Sequence, residues 1–97
     1  MYYKMQETLR LLRINPACRG VMYIMEVLEG TKKIEDLNDD QIELIVDAWD
    51  SRAYIPEEIY QQLSGNGVDV VKPSNEKNLP REEYYREVAK NVINFFR

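Results

Sequence analysis

Asp36, Asn38, Asp40 and Asp47 stand at steps 1, 3, 5 and 12 of the loop that wraps calcium in a helix–loop–helix site. Oxygen ligands at that spacing suit a hard cation. Two departures count against it. Gln41 takes the place where the sharp turn calls for Gly, and Asp47 replaces the longer bidentate Glu. The same residues read better as a helix start, because Asn38 with Gln41 three residues on is the pattern of a capping box. No metal ligand is expected.

Lys4, Arg10, Arg13 and Arg19, with Tyr2 and Tyr3 beside them, are the groups that would meet nucleic-acid phosphates. They form a small group in a chain of net charge −4. A helix-turn-helix arrangement would use the third helix as reader, and its five acids between Asp39 and Asp50 would repel the phosphate backbone. The paired carboxylates Glu57/Glu58 and Glu82/Glu83 fall in first helical turns, where the helix dipole favours acids without any catalytic reason. There is no His, and Cys18 is the sole cysteine. A His-based triad, a Cys/His zinc site and an internal disulfide are therefore excluded. No enzymatic activity and no cofactor are expected.

A surface remains. Asp39, Glu43, Asp47 and Asp50 share a face of the third helix, with Tyr54 just beyond it. Seven of the ten aromatic residues are Tyr, a type enriched where proteins meet. The leading expectation is a small protein-binding or modulator protein that acts through this acidic surface and self-associates, most simply as a homodimer. Its partner would be another protein, one with basic character. The alternative is a nucleic-acid-binding regulator using Lys4, Arg10, Arg13 and Arg19.

The elements that must position these groups follow from hydrophobic spacing. Tyr2, Met5, Leu9 and Leu12 line one helical face, and Asn15-Pro16 interrupts it. A second helix is expected from Pro16 to about Glu29, with Asn15 as its N-cap and Ala17, Val21, Ile24 and Leu28 as its stripe. Gly20 within it weakens the helix by about 1 kcal/mol relative to Ala, which a closely crossing helix would offset. Gly30 suits the helix end. The third helix buries Ile42, Ile45, Val46 and Trp49, and Leu37 with Ile42 makes a hydrophobic staple across its cap. Ile55-Pro56-Glu57-Glu58 opens a short fourth helix, closed by Ser64-Gly65-Asn66-Gly67. The last helix begins near Pro80 and carries Tyr84, Val88, Val92 and Phe95.

The 97 residues suit a single domain, 1–97, of all-α class: an irregular bundle of four to five short helices. At most one extended segment, near 68–71, is expected, inside a flexible loop over about 64–79. Charge is uneven along the chain. Residues 1–25 carry +3, residues 26–69 carry −9 and residues 70–97 carry +2. An acidic middle between basic ends can be neutralised within one fold or across a dimer. No apolar run reaches the ~20 residues of a membrane span, and the lone cysteine suits a reducing cytoplasm.

Overall fold

The structure, a computed structural model, describes residues 3–52, 57–64 and 71–97. Helix α1 spans Tyr3–Leu12, α2 Arg19–Leu28, α3 Asp39–Asp50, α4 Glu57–Ser64 and α5 Arg81–Phe95, with a 3-10 turn at Ile34–Asp36. The fold is all-α, and no strand occurs among the described residues. Residues 68–70 of the expected extended segment, and Tyr54, lie outside them.

The corner between α1 and α2 differs from the expectation at both ends. Helix α1 closes at Arg13, whose φ of 57° is left-handed. Arg13 N–H donates to the Arg10 carbonyl at 3.1 Å and Ile14 N–H to the Leu9 carbonyl at 2.9 Å. This is a Schellman closure, and its usual apolar partners, Leu9 and Ile14, are both buried. Asn15 does not cap α2. Its side-chain oxygen instead accepts from Ala17 N–H at 2.9 Å, and Cys18 N–H donates to its carbonyl at 3.2 Å. The local turn that Asn favours thus competes with helix, and α2 starts at Arg19 with Cys18 as its N-cap.

Helix α2 ends as its Gly predicts. Gly30 takes φ 82°, and Thr31 and Gly30 N–H groups reach the carbonyls of Glu26 and Val27 at 3.0 and 3.1 Å. Gly20 explains itself in the crossing of α2 over α3. A methyl group placed on it would overlap the Leu44 carbonyl oxygen and lie 2.7 Å from Ala48 Cβ. Backbone meets backbone there, so the helix tolerates its weakest former.

Helix α3 is set by its cap. Gln41 N–H donates to Asn38 Oδ1 at 2.9 Å, and Asn38 N–H donates back to Gln41 Oε1 at 2.9 Å. Leu37 and Ile42 are buried on either side of this box. The helix then packs against α2 on one flank and α5 on the other. Trp49, only 1% exposed, meets Phe95 and Phe96 edge-on, with ring centroids 5.2 and 6.4 Å away. Met5, Leu9 and Leu12 of α1 join the same apolar cluster as Val21, Ile24, Ile45, Val46, Val88 and Val92.

Residues 71–80 are irregular and, from Lys72 to Asn78, exposed, yet they are tied to α5. Val71 is buried, and its carbonyl accepts from Asn91 Nδ2 at 3.1 Å. The Tyr84 hydroxyl donates to the Pro73 carbonyl at 2.5 Å. Asn75 bonds Leu79 twice, through N–H to Oδ1 and through Nδ2 to the carbonyl, both at 3.0 Å.

Candidate protein-binding surface

Helix period and flanking helices divide the acids of α3 into two strips. Asp39, Glu43 and Asp50 turn toward α5 and its approach. Arg86 Nη2 reaches Asp39 Oδ1 at 3.0 Å, Arg81 Nη2 reaches Glu43 Oε1 at 3.0 Å, and Lys72 Nζ reaches Asp50 Oδ2 at 2.8 Å. The C-terminal segment thus supplies one cation to each of these three acids. Arg86 also donates to the Leu37 carbonyl at 2.9 Å, which ties α5 to the cap of α3. The hydrogen bond to Asp50 raises Lys72 above the ordinary lysine value, outweighing partial desolvation. Glu43, likewise by hydrogen bonding, raises Arg81.

Asp40 and Asp47 form the second strip. They lie on the side of α3 opposite Ile42, Ile45 and Trp49, both exposed, and carry no ion pair among the described residues. Leu44, one helical turn after Asp40, is half-buried between them. Of the residues named from sequence, the structure therefore commits Asp39, Glu43 and Asp50 to neighbours. Asp47 faces water, and Tyr54 is outside the described residues. Asp40 is not among the contact residues expected from sequence, yet its offset of seven from Asp47 puts the two on one line of the helix.

The calcium spacing dissolves into the same helix. Asn38 Oδ1 is engaged by Gln41 N–H, and residues from Asp39 onward are helical, so the loop that would wrap an ion is absent at those steps. At the basic corner, Arg10 Nη2 bonds Glu7 Oε2 at 2.7 Å and holds that carboxyl below its ordinary range. Arg13 is exposed in the corner, Arg19 is exposed at the start of α2, and the Lys4 side chain is outside the described residues. Gln6, Leu9, Arg10, Ile14 and Pro16 line an open hollow beside the corner.

Arg52 follows α3 with its guanidinium 4.1 Å from the centre of the Trp49 ring. Burial lowers its pKa, against the pull of Asp50. A groove of about 240 Å³ that the sequence had not suggested lies where α2 and the 3-10 turn meet the end of α5. Val27, Ile34 and Ile93 supply its apolar lining, and Glu35, Lys90, Asn94 and Arg97 its polar one. Its signal in the sequence is faint: cations at 90 and 97 with an amide between, spaced for one helix face.

Among the described residues no helix is long and apolar enough to cross a membrane. Comparison with protein-family models, curated protein sequences and solved structures finds no match to this chain.

Proposed function

We propose that this protein is a non-catalytic binding module whose docking surface is the solvent-facing acidic strip of α3. One observation carries the proposal. Asp40 and Asp47 stand exposed and, among the described residues, without an ion pair, on a helix whose start is locked by a capping box and whose other acids are held by Arg81, Arg86 and Lys72. A rigid helix bearing fixed carboxylates beside a partly exposed Leu44 suits a partner with basic and apolar side chains. We place it in the cytoplasm, where a single half-buried thiol such as Cys18 stays reduced.

The test is affinity capture with the wild type and with Asp40→Lys/Asp47→Lys, which leaves the ion-paired acids alone. Partners bound by the wild type should be lost by the variant while its helical circular dichroism is kept. Equal recovery by both proteins overturns the proposal. Nucleic-acid binding through Arg10, Arg13 and Arg19 has weaker support, since Arg10 is turned onto Glu7. Gel shifts at low salt, where phosphate-driven affinity is greatest, would reveal it.

A further inference from the structure

The groove at the end of α5 complements the acidic strip of α3. On the strip, Asp40 and Asp47 stand seven residues apart with half-buried Leu44 between them. Along the groove, Lys90 and Arg97 stand seven residues apart with Asn94 between them, beside Val27, Ile34 and Ile93, and Glu35 adds one acid to the lining. Arg97 lies just past α5, but its N–H donates to the Asn94 carbonyl at 3.2 Å, so the turn continues. At 1.5 Å per residue, seven residues put either pair of charges roughly 10 Å apart. Two cations outnumber Glu35, so the net sign of the groove is opposite to that of the strip; spacing is equal, and each line has apolar surface beside it.

We infer that the groove receives the acidic strip of a second copy of this chain, Lys90 and Arg97 meeting Asp40 and Asp47 while Leu44 enters against Val27 and Ile34. This rests on the strip being a docking surface, as proposed above, and names its occupant. Each copy carries both surfaces. A two-fold arrangement that lays each strip on the other copy's groove would make both contacts at once and close a dimer without a free end. A second copy also covers the partly exposed Val27, Ile34 and Leu44.

Charge reversal in sedimentation velocity at low salt tests it. The wild type should show a concentration-dependent dimer. Asp40→Lys/Asp47→Lys and Lys90→Glu/Arg97→Glu should each weaken it by about tenfold or more, because every contact then joins like charges. An equal mixture of the two variants should dimerise again, since both contacts regain opposite signs, and that recovery also shows that both variants fold. A wild type that stays monomeric at every concentration overturns self-docking but leaves the strip as a surface for a different partner. A dimer indifferent to both reversals, or a mixture that does not recover, overturns the pairing of these two surfaces. The reading beneath it fails separately, if a captured partner ignores Asp40→Lys/Asp47→Lys.

Discussion

Single residues decide this fold where backbone has least freedom. Gly20 is the sharpest case, since any Cβ would run into the Leu44 carbonyl and Ala48. Overpacking of this kind costs about 1–3 kcal/mol, and here the obstacle is helix backbone, which cannot swing aside as a flexible side chain would. Gly20→Ala should therefore destabilise the protein by about 3 kcal/mol, although Ala is the better helix former. Chemical denaturation checks this, and a neutral or stabilising effect would show that α2 and α3 do not cross there. The need for a close crossing was legible, because Gly inside an apolar stripe demands a reason. The corner was not. Arg13 takes a left-handed conformation that sequence reasoning reserves for Gly or Asn, and the buried Leu9 and Ile14 contact holds it there.

At the scale of elements, caps and stripes were readable because they are local. Asn38, Gln41, Leu37 and Ile42 all lie within six consecutive residues, and their roles need no knowledge of the rest of the chain. The start of α2 differs from the expectation because its local chemistry cuts both ways: Asn15 can cap a helix or fold a turn, and it folds the turn. The partners of α3's acids are the least local feature. Lys72 is 22 residues from Asp50, and Arg86 is 47 from Asp39, so only the packing of α5 reveals them. These pairs are half in water, each contributing below about 1 kcal/mol. Lys72 has its folded pKa raised above the unfolded value of about 10.4. Its contribution is thus complete below that pH and is lost as pH rises through the folded value. Urea unfolding at pH 8 and pH 11.5 should show a smaller alkaline loss of stability in Lys72→Met than in the wild type. Equal losses would mean that Asp50 does not hold Lys72 in solution.

For the whole molecule, the uneven charge resolves into an internal and an external part. The basic C-terminal third lies along one flank of α3 and neutralises Asp39, Glu43 and Asp50. Asp40 and Asp47 are left facing outward, opposite the buried Ile42, Ile45 and Trp49. The all-α class, the order of the helices and the place of Trp49 in the core were legible, since apolar period fixes which side of each helix turns inward. Which acids stay open was not, since that depends on where distant cations land.

The proposal that this outward strip docks on a second copy is checked by nitrogen-15 amide spectra recorded over a dilution series. Signals from Asp40 to Asp47 should shift with concentration, together with those of Lys90, Asn94 and Arg97, while those of Asp39 and Leu37 at the cap stay fixed. Shifts confined to the α1–α2 corner, or spectra in which residues 40–47 are not helical, would contradict it.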